Sequence, residues 1–233
     1  MFWAGDQLTS WDENDGMQSA LRAILSGGLS GMTLSHSDTG GYTEFRARIY
    51  NMLRTEQMLM RWMEMETFSG AMLRTHPGLL PSLSAQVNSS TETLLSAKFC
   101  SKLHTLLHPY RTVLMKQASE FGYPLVRYMF MEFPNDVSSI GIVSQFMLGD
   151  MFLIAPIFAK HVETVEVYFP EMTSWTHVFT GNVINGSGFP KVSVNAPIGT
   201  PAVFYRNDQD EHLNSTTSAV MSMKAMRAWW KEQ

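Results

Sequence analysis

Cysteine occurs once in these 233 residues, at Cys100. A single thiol closes no internal disulfide and builds no cysteine cluster for a metal, so the fold needs neither staple. Charge is sparse as well. Asp, Glu, Lys and Arg make up 16% of the chain, and 17 basic against 21 acidic side chains leave a net charge of −4. No run of Lys or Arg stands out, which argues against an electrostatic grip on nucleic acid. No stretch reaches the roughly 18 consecutive apolar residues that a membrane-spanning helix needs. The opening residues, Met1 to Asp6, show no charged, apolar and small-residue succession of a secretory leader. They read instead as the end of an apolar strand, so the chain is expected to be the C-terminal part of something longer. Apolar material is abundant: 45% hydrophobic residues at a mean hydropathy of −0.08, with 18 Met among them. Such a chain buries a core and is not disordered. Met on helical stretches fills gaps in that core.

Periodicity divides the chain into zones. The spacing of Met17, Leu21, Ile24 and Leu25 predicts a helix capped by Asn14 or Asp15 and ended by Gly27, Gly28 and Gly31. Met32-Thr33-Leu34 reads as a short buried strand running into a polar loop, Ser35 to Tyr42. Met52, Leu59, Met63, Phe68 and Met72 predict one long helix from about Ile49 to Leu73. A second helical run covers about Glu92 to Phe121, with Cys100 as an inert core thiol. Residues 122–155 read as strand, helix, strand, with Pro124–Phe130 the first strand and Ser138–Leu148 the helix. After residue 156 the helical period disappears. Val165, Val167 and Phe169 alternate with polar neighbours, and Val192–Val194 and Ala202–Tyr205 complete an antiparallel pattern. The tail after Arg206 is polar and then weakly helical.

Strand, polar loop and helix in repetition indicate a parallel α/β architecture. In a (β/α)8 barrel the chemistry gathers at the carboxyl ends of the strands. Two polar clusters lie where that rule asks, Gly5-Asp6-Gln7 after Phe2-Trp3 and His36-Ser37-Asp38 after Met32-Thr33-Leu34. Two His and one Asp, His36, His76 and Asp38, are a conceivable zinc set. Their spacing matches no helical ligand pair, and no metal is expected. Read as ordinary structure, Asp6 is a turn residue capping the next helix. Gly40-Gly41-Tyr42 is then a glycine turn with a half-buried aromatic. Arg74 and His76 are cations meeting a helix C-terminus.

Taken in order, Phe2-Trp3-Ala4-Gly5-Asp6-Gln7, His36–Tyr42, Arg74-Thr75-His76, Gly122–Arg127, Leu148-Gly149-Asp150, Ala155-Pro156 and Ala196–Arg206 resemble glycoside hydrolase family 31, in its sulfoquinovosidase-like branch. The resemblance implies the C-terminal portion of a (β/α)8 TIM barrel followed by a small antiparallel β-sandwich-type domain. The expected division is 1–155 for the barrel part, 156–207 for the β domain and 208–233 for an unassigned tail. It also implies retaining hydrolysis of α-glycosides by two carboxylates. Asp6 matches the family's general acid/base. The nucleophile belongs to an earlier barrel strand with no matching motif here, so the alternative is an inactive truncated product that binds sugar or packs against a partner. Asp38 and His76 match residues that hydrogen-bond sugar hydroxyls. Tyr42 matches a sulfonate-binding Tyr, which favours sulfoquinovose, with a neutral α-glucoside or α-galactoside as the competitor. Arg74 is expected to orient a carboxylate through a bidentate contact. Phe2, Trp3 and Trp11 are expected to wall the site, Trp3 touching substrate, and to raise the pKa of Asp6 by desolvation. The expected partner is a carbohydrate, with no cofactor, no nucleic acid and no membrane.

Overall fold

The computed structural model describes residues 1–49, 51–171, 173–207 and 218–232. They fall into two compact units, Met1–His104 with Ile157–Val162, and Thr105–Pro156 with Glu163–Gln233. In the first, β1 (Phe2–Trp3) pairs in parallel with β2 (Ser35–His36), Phe2 opposite Ser35 and Trp3 opposite His36. The second strand therefore lies three residues later than Met32-Thr33-Leu34, and Met32 is exposed. Between them runs α1 (Met17–Leu29), burying Met17, Ala20, Leu21, Ile24 and Leu25 on one face. Its cap is Gly16, whose N–H donates to Ser19 Oγ at 2.9 Å, and not Asn14 or Asp15. A Cβ on Gly16 would collide with the Ser10 carbonyl, so close packing dictates the residue there. Gly27 and Gly28 lie inside the helix, both buried.

The expected helix from Ile49 to Leu73 is much shorter. A hairpin of β3 (Phe45–Arg46) and β4 (Asn51–Met52) takes its first part, and Ile49 is 96% exposed. The helix proper, α2 (Glu56–Ser69), starts where Thr55 Oγ1 accepts the Met58 N–H at 3.2 Å, a regular N-cap. Every residue from Arg61 to Gly70 is buried, so its charged groups face partners and not water. Leu59 and Met63 pack with Cys100 of α3 (Thr91–Leu106), and burial pushes that thiol up to about 12, an inert group as expected. The expected run to Phe121 breaks at Leu107, because Pro109 suits the first turn of α4 (His108–Phe121) and cannot donate to a continuing helix.

The second unit is built on a six-stranded antiparallel sheet in the order β10-β9-β12-β7-β6-β5. Its strands are β5 (Val126–Arg127), β6 (Phe146–Leu148), β7 (Phe152–Ala155), β9 (Ser174–His177), β10 (Val183–Asn185) and β12 (Ala202–Arg206). The sheet thus takes strands from both sides of residue 156. A separate ribbon pairs β8 (Thr164–Phe169) with β11 (Gly188–Asn195). The antiparallel strands read after residue 156 are borne out by β8, β11 and β12. The strand expected over Pro124–Phe130 shrinks to β5 and continues as α5 (Met129–Glu132). The helix expected over Ser138–Leu148 is a 3-10 turn, Val137–Gly141, followed by β6. Asp136 caps that turn through the Ser138 N–H at 3.1 Å, and Gln145, fully buried, exchanges two hydrogen bonds with the Tyr168 backbone. That side chain satisfies the Tyr168 main chain as a neighbouring strand would. Gly149 has φ +57 against the Tyr110 hydroxyl, so the Leu148-Gly149-Asp150 motif is a packed β6–β7 turn. Residues 208–217 of the tail lie outside the described residues, and α6 (Ser218–Lys231) bears out its helical end. No helix among the described residues is long and apolar enough to cross a membrane.

His177 supplies a pH test of this unit. It is buried on β9 against the Phe204 ring at 5.0 Å, and Nδ1 accepts the Thr180 N–H at 3.2 Å. Burial lowers its pKa to about 4, against a smaller opposing effect of the Pro201 carbonyl. The unfolded chain takes up a proton near the ordinary value and the native protein does not. Stability is therefore full above about pH 6.5 and falls as the pH drops toward 4, by a total of about 3 kcal/mol. Urea unfolding at pH 7.5, 5.5 and 4.5 checks this against His177→Phe, whose curve should lose that share of the slope. Parallel curves for the two proteins would contradict it.

Candidate active site

Three loops meet at the carboxyl ends of β1 and β2: residues 4–9, 36–43 and 74–78. Parallel pairing sends both strands the same way, and backbone bonds tie their loops together. Tyr42 and Thr43 N–H groups both donate to the Gln7 carbonyl, at 2.9 and 3.0 Å, and Thr43 Oγ1 donates to the Asp6 carbonyl at 3.0 Å. An isolated parallel bridge joins Thr39 to Thr75, with the Thr39 N–H on the Arg74 carbonyl at 2.9 Å. Asp6, Asp38, Tyr42, Arg74 and His76, far apart in sequence, are thereby held in one loop cluster.

The expected residues differ in setting. Asp38 is fully buried and accepts from Arg74 Nη1 at 2.6 Å. The contact is a single bond to Oδ1 where a bidentate fork was expected. Arg74 leaves 45% of its side chain exposed, so its remaining donors face solvent and any ligand. Tyr42 and His76 meet edge to face, ring centroids 4.5 Å apart at 88°. His76 Nδ1 accepts the Gly78 N–H at 3.2 Å, which puts the proton of the neutral ring on Nε2. α2 ends at Ser69, so neither Arg74 nor His76 is there to meet its dipole. Gly41 has φ +78 and its Cβ would strike the Leu8 carbonyl, so the turn before Tyr42 admits only glycine.

One expectation is corrected. Asp6 is exposed, Trp3 is 45% exposed and Trp11 is only half-buried. Within this chain the aromatic residues nearby in sequence do not enclose the carboxyl. Gln7 folds back so that Nε2 donates to the Ala4 carbonyl at 2.6 Å, a tight turn closed without the Asp6 side chain. His36 turns its Nδ1 toward the Ser37 carbonyl at 3.2 Å. Among the described residues no group of three His, Cys, Asp or Glu side chains is arranged to hold a metal ion.

Two further residues, which no motif in the sequence marks, shape the cluster from behind. Glu66 of α2, fully buried, accepts from the Ser37 N–H at 2.7 Å and the Ser37 hydroxyl at 2.8 Å, while Trp62 Nε1 donates to the same hydroxyl at 2.9 Å. Arg54, also buried, reaches the Gly41 and His76 carbonyls. The available signal was charge inside a Met-rich helical run, which reads as core and so should carry no unpaired charge.

Comparisons with known proteins place the chain in a family. The profile of the Glycosyl hydrolases family 31 TIM-barrel domain matches residues 1–111, and that of the family's C-terminal domain matches residues 122–209. Among curated relatives, a sulfoquinovosidase of Escherichia coli is 35% identical over 210 residues, covering 90% of this chain and 30% of that protein. Alpha-glucosidase 2 of Bacillus thermoamyloliquefaciens is 27% identical over 195 residues, covering 83% of this chain and 23% of its own. Of solved structures, a family 31 sulfoquinovosidase from E. rectale in complex with an aza-sugar inhibitor superposes with a TM-score of 0.85 at 30% identity, over 97% of this chain and 32% of that one. The chain thus spans about 30% of the length of the sulfoquinovosidase relatives it matches. Its parallel β1–β2 pair with flanking helices is part of a TIM barrel, its antiparallel sheets form the β domain after it, and the chain belongs to glycoside hydrolase family 31.

Proposed function

We propose that this chain contributes the acid/base and the sugar-binding side of a retaining α-glycosidase whose preferred substrate is an α-sulfoquinovoside. Asp6 donates a proton to the glycosidic oxygen and later removes one from water, while a second carboxylate attacks the anomeric carbon. Asp38 and His76 hydrogen-bond sugar hydroxyls, His76 from Nε2. Tyr42 donates its phenol proton to the sulfonate, Arg74 fixes Asp38, and the exposed face of Trp3 borders the sugar. The observation that supports this reading most is the Arg74–Asp38 bond beside the Tyr42–His76 ring pair, next to Asp6 at the carboxyl ends of parallel strands. A polar cluster fixed before substrate arrives is what orientation of a sugar requires.

The test uses the protein expressed from its complete gene. Aryl α-sulfoquinovoside and aryl α-glucoside are compared, and proton NMR records the anomer formed first. The expected result is cleavage with retention and preference for the sulfonated sugar. Tyr42→Phe should reduce that preference by about 10- to 100-fold, the worth of one hydrogen bond to a charged oxygen. Equal turnover of both sugars would move the assignment to a neutral α-glucoside. Cleavage of neither, or inversion, would refute the glycosidase reading.

A further inference from the structure

Arg54 occupies an unusual place for a guanidinium. It lies between β4 and α2 and is only 2% exposed. Each of its three nitrogens donates to backbone carbonyls: Nε to Ala85 at 2.8 Å, Nη1 to His76 at 2.8 Å and Gly41 at 3.2 Å, Nη2 to Pro77 at 3.3 Å. Burial lowers its pKa, and the charge of Glu44 opposes that shift. Glu44 is itself buried and accepts the Leu80 N–H at 2.7 Å, while a Cβ on Gly78 would run into its carboxylate. On the other side, a Cβ on Gly40 would meet Arg54 Cδ at 2.6 Å. The cation is thus wedged between the loop that carries Tyr42 and the loop that carries His76.

Its two Nη1 acceptors are the residue immediately before Tyr42 and His76 itself. Beside the Thr39–Thr75 bridge, one nitrogen thus ties the two loops together right where the two rings meet. An ammonium cannot replace it, because a Lys presents one compact centre and not a planar fork with separated donors. We propose that Arg54 is a positioning residue that sets the Tyr42–His76 pair and, through it, the affinity for the sugar, without touching substrate. The kinetic part rests on the function proposed above; the spectroscopic part does not.

The protein is labelled with fluorotyrosine. The Tyr42 line, one of seven, is identified by its loss in Tyr42→Phe. His76→Gln shows how far the line moves when its neighbouring ring is removed. Arg54→Lys, with the charge kept, should move the line in the same direction. It should raise KM by about 10-fold or more with a smaller change in kcat, since misplacement of a binding group by about 1 Å is worth up to 100-fold. The dependence of rate on leaving group should stay as in the parent, because the acid is untouched. Should Arg54→Lys fail to fold, Glu44→Gln weakens the hold on the cation while leaving its donors, and the same line should move less in the same direction. An unmoved Tyr42 line in the folded variant overturns the proposal, as does an unchanged KM in an active one. A moved line in a protein that cleaves no glycoside leaves the clamp standing and removes only the hydrolase reading.

Discussion

Asp6→Asn is expected to reduce turnover of an aryl α-glycoside with a poor leaving group by about 100- to 10,000-fold, the range for a positioned general acid. The effect should shrink as the leaving group improves, because a good leaving group departs without a proton. Substrates with the best leaving groups should then accumulate the covalent intermediate, since in the proposed mechanism the same residue activates water in the second step. Azide, an anion that needs no base, should relieve that block and give the glycosyl azide. The substitution should not disturb the loop. The loop is fixed by its backbone, through the Thr43 hydroxyl on the Asp6 carbonyl and the Tyr42 and Thr43 N–H groups on the Gln7 carbonyl. The exposed Asp6 carboxyl itself is not what holds the chain there. Loss of activity with an unchanged melting temperature therefore reports chemistry. Unchanged turnover across all leaving groups would exclude Asp6 as the acid/base.

The contrast between Asp6 and its surroundings shows which parts of this molecule a sequence exposes. Ordered motifs around Asp6, Asp38, Tyr42 and His76 were legible because strand ends and glycine-bearing turns mark them, and Gly41 has only one conformation that fits. The antiparallel β8 and β11 were legible from alternation, which one-sided burial imposes, whereas β12 is a short apolar run buried on both faces. Helix boundaries were not legible. Thr55, the real cap of α2, lies within a stretch whose Met residues keep a helical period from Met52 onward, although Met52 pairs with Phe45 in a hairpin. Gly27 and Gly28 looked like a stop and lie buried inside the helix. The Ser138–Leu148 error has the same origin, since Gln145 is polar in sequence and fully buried as a side-chain ladder in space. The positions that shape the cluster, Arg54 and Glu66, gave no motif at all. Their partners are groups far away in sequence, and only the fold says which.

Glu66→Ala is expected to cost the fold about 3 to 5 kcal/mol, comparable with removing one partner of a buried charged pair. Two hydrogen bonds to a carboxylate disappear together, and the Ser37 N–H, on a fully buried residue, loses its acceptor. Trp62 still donates to the Ser37 hydroxyl, so the hydroxyl keeps a donor and loses its acceptor. Repacking cannot close the gap from the other side, because Gly70 stands against the carboxylate and offers no side chain to fill the space. Glu66→Gln should be milder than Glu66→Ala, since its amide oxygen still accepts the Ser37 N–H and its NH2 can donate to the Ser37 hydroxyl, which has a second lone pair to accept it. If the pair acts as a unit, Ser37→Ala and Glu66→Ala will not add: urea unfolding of the double variant should show a coupling of about 1 to 3 kcal/mol. Additive losses would mean that Glu66 stabilises α2 alone. The consequence for the site comes from chain connectivity. Ser37 directly precedes Asp38, whose carboxylate is held by the half-exposed Arg74. Rigidity at Asp38 therefore depends on the residue behind it, and Glu66→Ala should weaken sugar binding before it lowers the rate of bond cleavage.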